Sequence, residues 1–271
     1  MSKRAFVGLC FLPLAVLVAA FFVLPMVRLV LVGASGQDGL RAYAAILLDP
    51  RYRATLFNTV ALAAATTAAT LIIATISGLF LQRHRFPGHA LLVAMLTFPL
   101  AFPGVVVGFM IILLAGRQGL LGDLTLHLFG SKRVFAYSLQ GLFLGYLYFS
   151  IPRVILTIMA AVEKLDPSLE EVARALGAGP WRVVRDVILP ALTPAFIASG
   201  AIAFATAMGA FGTAFTLATD VDVLPMLIYT EFTLSANIAL AAALSVGLGL
   251  VTWAILALAR SYGGTSIAAA G

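Results

Sequence analysis

The chain predicts an all-α, polytopic membrane protein with about six transmembrane helices, and three observations carry that reading. Hydrophobic residues make up 62% of its 271 residues and charged residues only 10%, a balance outside that of soluble globular domains. Six apolar segments each reach the ~20 residues that a bilayer core requires. The third observation is an exception to the greasiness: residues 164–190 hold more than a quarter of all the charges and separate two such segments.

The first span, residues 5–27, follows Lys3 and Arg4 and so resembles a signal peptide at its start. Its apolar run exceeds the ~7–15 residues of a signal core and has no small-residue cleavage site, so it reads as a retained span that begins inside. Further spans are expected at 55–82, 88–116, 135–162, 191–218 and 236–259. Between the last two, Leu224 to Leu234 is apolar but short and carries Pro225, which predicts a half-buried or re-entrant helix on the outer side. No linker, low-complexity tract or internal repeat divides the chain, so residues 1–271 are read as a single transmembrane domain.

The net charge of +6 is spread singly or in pairs near the ends of apolar segments. That distribution argues against a nucleic-acid surface and for topology determinants in contact with lipid. Nine Lys and Arg fall in one set of loops and seven in the other, a bias that places both termini and the 164–190 loop on the cytoplasmic side. Cys10, alone of its kind, excludes an intrachain disulfide and a cysteine metal cluster. No catalytic residue, cofactor site or metal site is assigned to this chain. The motif G-x-x-x-x-G-K-[ST] is absent, so ATP is not hydrolysed here.

The 164–190 loop keeps helical apolar spacing at Leu169, Val172, Ala173 and Leu176, the mark of one greasy stripe on a short surface helix. Asp166 followed by Pro167 is a good N-cap and first-turn pair, and Ser168 with Glu171 fits a capping box slightly further on. Gly177 or Gly179 supplies the stop. Pro180 then restarts a helix with Trp181, Val184 and Ile188 on one side, and Pro190 closes the unit. Such an elbow suits a soluble partner; the plain alternative is an amphipathic helix lying among lipid headgroups.

Within the spans, Pro99 and Pro103 in the third and Pro152 in the fourth remove backbone donors, so they either kink helices that line a pathway or serve ordinary packing. Ser199, Gly200 and Gly209 belong to a run of small residues in the fifth span that suits close packing, with pathway lining as the other use. Arg153 sits beside Pro152 with apolar residues on both flanks. A charge at that depth costs on the order of 2.5–3.5 kcal/mol on insertion scales. It therefore faces a cavity, which would favour an anion, or pairs with an acid on a neighbouring helix. Asp220, Asp222 and Glu231 pull the other way, because the last outer loop has no basic residue and would suit a cation or a docked protein.

The ordered set Glu171-Val172-Ala173, Gly177 and Val187-Ile188-Leu189-Pro190 resembles the cytoplasmic loop signature of permease subunits of binding-protein-dependent type I ABC importers. That signature reads E-A-A, three residues, G, nine residues, I-x-L-P. The spacing matches residue for residue, with Val172 and Val187 as conservative departures. The order of spans is similar to the permeases of the polyamine, ferric-iron and phosphonate branch. The resemblance implies a MetI-like fold in a bacterial inner membrane and a substrate that is a small charged solute, polyamine-like or an anion such as a phosphonate. It also implies a second permease, identical or homologous, two cytoplasmic ATP-binding subunits that carry ATP and Mg, and an extracytoplasmic solute-binding protein. On that footing Leu169, Val172 and Leu176 form the buried face of a coupling helix. Glu170, Glu171, Arg174 and Arg182 make rim contacts, and Ala173, Gly177, Pro180, Trp181, Leu189 and Pro190 complete the unit.

Two other classes share some of these features. Gly33-Ala34-Ser35-Gly36 resembles the surroundings of an intramembrane serine protease nucleophile, but that serine needs a base, and His84, His89 and His127 all lie in loops or near span ends. A channel also uses broken helices and small residues, but it has no need of the spaced loop.

Overall fold

The computed structural model describes residues 3–36, 39–217 and 222–262, except for the side chains of 3–10 and 262; Asp220 and the side chain of Cys10 lie outside the described residues. Every element among them is helical. Five helices are long and apolar enough to cross a membrane, and a sixth span is made if Pro180–Ala191 and Thr193–Met208, bent by 65°, count as one. The all-α, multi-span class expected from composition is the one found.

Two compact units make up the chain. Residues 1–56 and 227–251 form the first. It holds α1 (Lys3–Val18), a π turn at Ala19–Val23, α2 (Leu24–Gly33) and α3 (Arg41–Leu48). It also contains the start of α4 (Pro50–Arg83), most of α14 (Leu224–Thr233) and the first half of α15 (Ile238–Tyr262). The helix of the first span continues six residues past 27 to Gly33, so Arg28 lies inside α2 and not in a loop. Gly33 lets the Tyr43 ring tip approach α2, where its hydroxyl bonds the Val30 carbonyl. The short apolar segment before the last span is indeed a ten-residue helix, α14.

Residues 57–226 and 252–271 form the second unit. The expected third span is not one kinked helix. It runs as α5 (His89–Thr97), a 3₁₀ turn (Phe98–Ala101) and then α6 (Gly104–Ala115), with Phe102 and Pro103 extended between them. Steric conflict with the ring of Pro103 drives Phe102 out of the helical region, to φ −90° and ψ 129°. The polypeptide continues through α7 (Leu120–Phe129) to α8 (Leu139–Glu163), which carries Pro152 buried within an unbroken helix. The fifth span is likewise divided, into α12 (Thr193–Met208) and α13 (Phe211–Leu217). Glycine permits the tight seating of α13: a Cβ on Gly108 would collide with Thr216, and one on Gly145 would lie 2.7 Å from the Thr213 methyl. Thr213 Oγ1 also donates to the Gly104 carbonyl at 3.1 Å. The core gathers Leu81 of α4, Val154, Ile158 and Val162 of α8, and Val183, Ile188 and Leu192 beyond them.

Candidate functional site

The polar loop folds as α9 (Pro167–Ala175), α10 (Pro180–Val183), a π turn at Val184–Ile188 and α11 (Leu189–Ala191). Asp166 is the N-cap: its Oδ1 accepts from the Ser168 amide at 2.9 Å, with Pro167 in the first turn. That bond holds the Asp166 carboxyl below the usual range. The cap is therefore intact at neutral pH and is lost as the pH falls through the lowered value. Of the two helix starts open in the sequence, the Asp-Pro pair is the one used.

Gly177 ends α9 at φ +84°. Its amide donates to the Arg174 carbonyl at 2.9 Å, and the Ala178 amide reaches the Ala173 carbonyl at 3.0 Å. These two bonds make a Schellman stop, which needs a left-handed residue at this place. Pro180 then opens α10.

The elbow has two faces. Ala173, Ala178, Val183 and Ile188 turn inward onto the core that includes Leu81 and Val162. Leu169, Val172 and Leu176 turn outward and stay 52%, 57% and 84% exposed, and Trp181 of α10 is 71% exposed. Glu171, Arg174, Arg182, Pro180 and Pro190 are exposed, and Leu189 is half-buried. Two placements differ from the sequence reading. Trp181 does not share a side with Ile188, because the π turn inserts an extra residue between them. Pro190 lacks an N–H for the Asp186 carbonyl, and the turn before it is closed instead by the Leu189 amide on the Val184 carbonyl. Glu170 is not on the rim: its side chain is only 14% exposed and pairs with Arg83 at the end of α4 as well as with Arg174.

A second feature lies within the same unit. Pro99, Phe102, Phe149, Arg153, Thr206 and Gly209 are among the residues lining a cleft of about 370 Å³. Arg153 is fourteen residues from the start of α8 and ten from its end, about 20 and 15 Å along the axis. Its guanidinium donates to Thr206 Oγ1 at 3.2 Å. Among the described residues no carboxylate pairs with it. The acid on a neighbouring helix, its alternative role, is thus not found among them.

The remaining path candidates lie elsewhere. Pro103 is the exposed N-cap of α6. Ser199 is buried and returns its hydroxyl to the Ala195 carbonyl at 2.7 Å, while a Cβ on Gly200 would stand 3.2 Å from Leu71. Those two sit at a packing seam. Glu231 belongs to the first unit, where it is buried and accepts from the Tyr52 hydroxyl at 3.4 Å. The protease arrangement does not form: Ser35 gives its hydroxyl to the Val32 carbonyl at 2.8 Å. The ring nitrogens of His84, His89 and His127 each lie beside a main-chain carbonyl, of Phe80, Leu81 and Asp123.

Residues 70–262 match the family profile of the binding-protein-dependent transport system inner membrane component. The chain belongs to this family. It is 32% identical over 262 residues to the putative 2-aminoethylphosphonate transport system permease protein PhnU of Salmonella typhimurium, covering 93% of this chain and 92% of that protein. It is 35% identical over 193 residues to the molybdenum transport system permease protein ModB of Escherichia coli, covering 68% and 81%. Its fold is similar to that of a bacterial ABC transporter involved in the import of the acidic polysaccharide alginate, with a TM-score of 0.81, 16% identity and 96% of each chain covered. The permease is therefore a subunit of an ABC importer and a multi-pass inner-membrane protein, not an enzyme.

Proposed function

We propose that this permease couples to a cytoplasmic ATPase through the 164–190 elbow and passes a small anionic solute across the membrane. One observation carries the coupling: Leu169, Val172 and Leu176 share one side of α9 and, like Trp181 of α10, are not covered by the described residues, in a loop bearing the spaced Glu171 to Pro190 signature. Side chains of this size contribute roughly 1.5–3 kcal/mol each when fully buried, so a cleft on a partner that covers them gains several kcal/mol. The exposed charges of Glu171, Arg174 and Arg182 surround that face and suit register and partner choice more than affinity. With the elbow on the ATPase side, both termini are cytoplasmic.

The solute reading rests on Arg153, a guanidinium in a cleft within the span that bonds the Thr206 hydroxyl and pairs with no carboxylate among the described residues. It matches the phosphonate and molybdenum that the names of the relatives carry. Neither relative names a polyamine, and that alternative from the sequence is not carried forward. The partners that go with this reading are ATP-binding subunits that would hold ATP and Mg, a second permease, and an extracytoplasmic solute-binding protein. ATP-driven closure of the ATPase would move α9 and α10, and the broken spans would open the path.

Coexpression with the ATPase tests the coupling surface. Val172→Glu puts a charge at the centre of the apolar face and should lower ATPase copurification at least about tenfold, the equivalent of ~1.4 kcal/mol, with membrane insertion unchanged. Wild-type copurification by that variant would refute the docking face.

A further inference from the structure

We propose that Arg83 and Glu170 form a clamp that fixes the coupling helix α9 to the end of α4, so that movement received by α9 is delivered to α4. The proposal rests on the docking reading of α9 and adds to it the element on which that movement acts.

Glu170 is set apart from its neighbours by direction. Glu171 beside it is exposed, whereas the Glu170 side chain is 14% exposed and divides its two oxygens between two cations. Oε1 takes Nη2 of Arg83, and Oε2 takes Nη2 of Arg174 at 3.0 Å. Arg174 lies one turn further along the same helix and orients the carboxylate. Arg83 is the last residue of α4, 87 positions earlier in the chain.

The stub that carries Arg83 is itself held. Buried His89 lies with Nε2 2.8 Å from the Leu81 carbonyl, and the Phe86 ring meets the His89 ring edge-on at 5.4 Å. The hairpin from Leu81 to His89 is thus closed on the last turn of α4, and Arg83 projects from a fixed base.

Apolar contact alone gives α9 little register. Its inward contribution to the core is Ala173, a side chain with no shape to interlock, and its large apolar residues face away. At its ends α9 joins α8 through the turn at 164–166 and α10 through the glycine-flanked turn at 177–179. A directional ion pair with a split carboxylate supplies the register that alanine lacks. Arg83 and Glu170 are positioning residues, and neither needs to touch the ATPase or the solute.

The test uses the full chain assembled with its ATPase in nanodiscs, in a Cys10→Ser background with an environment-sensitive fluorophore at Ile72→Cys on α4. The signal is the spectral change on adding a non-hydrolysable ATP analogue, with ATPase copurification measured in parallel. Arg83→Gln and Glu170→Gln should keep ATPase association within about twofold and reduce the nucleotide-induced change at least threefold. The exchange Arg83→Glu with Glu170→Lys restores an attractive pair of opposite sense, with Arg174 still beside it, and should recover more than half of the change. Rescue by reversing the charges shows that the loss comes from the broken pair, and the unchanged ATPase copurification separates lost transmission from a collapsed elbow. Val172→Glu run in the same panel separates the two ideas. If it keeps the ATPase bound, the docking reading fails. If it sheds the ATPase while Arg83→Gln gives the full response, docking stands and the clamp is overturned.

Discussion

Gly177→Val should leave the permease in the membrane and lower its association with the ATPase at least about tenfold, with uptake falling in proportion. Nothing lies within 4 Å of a Cβ built on Gly177, so the effect comes from the backbone and not from a clash. At φ +84° an L-residue pays roughly 1–2 kcal/mol, and a β-branched one more. The chain relieves that cost by giving up the two bonds of the Schellman stop, which swings Leu176 and the start of α10 away from the face they share with Val172. A graded series makes the cause visible. Asparagine tolerates the left-handed region better than alanine, and alanine better than valine, so association should fall in the order Gly177, Asn, Ala, Val. Equal association across the series, measured by copurification, would show that the left-handed turn has no part in docking.

Arg153→Gln should cut uptake of the transported anion at least about tenfold while leaving ATPase association intact. It should also make the permease more stable. A guanidinium at this depth costs on the order of 2.5–3.5 kcal/mol on insertion scales, and among the described residues it has a threonine hydroxyl, that of Thr206, and no carboxylate beside it. A residue retained purely for structure would show the opposite sign. Thermal unfolding in detergent gives the stability change, and uptake of 2-aminoethylphosphonate and of molybdate in proteoliposomes gives the function. Arg153→Lys keeps the charge but loses the planar fork, so it should fall between the two. Unchanged uptake kinetics with normal expression would remove Arg153 from the path.

The elbow was legible because its signals are local. Asp166-Pro167, Gly177 and Pro180 each fix a backbone state within two or three residues, and the three together set the limits of α9 and the start of α10. The same Asp-Pro signal stands at Asp49-Pro50, where the Arg51 amide bonds Asp49 Oδ1 at 2.8 Å, and reading it would have placed the start of α4 five residues before position 55. A period of 3.6 residues puts Trp181 and Ile188 on one side, and the π turn at Val184–Ile188 changes that period. Glu170 looked like a rim charge because its partner Arg83 is 87 residues away, a pairing that no window on the sequence contains. The third and fifth spans were long enough in apolar residues to read as single helices. Their breaks at Phe102-Pro103 and at Gly209-Ala210 depend on how α6, α8 and α13 pack, with Gly104, Gly108 and Gly145 making room.

ATP hydrolysis by the reconstituted assembly is the most direct test of the central claim, that this chain is the coupled membrane subunit of an importer. The permease, its ATPase and its solute-binding protein are placed in nanodiscs, and hydrolysis is followed with and without the loaded binding protein on the outer side. The account predicts that loaded binding protein raises the rate several-fold with the wild-type chain and that Val172→Glu abolishes the increase. A rate that ignores the binding protein, or an increase that survives Val172→Glu in full, would contradict it.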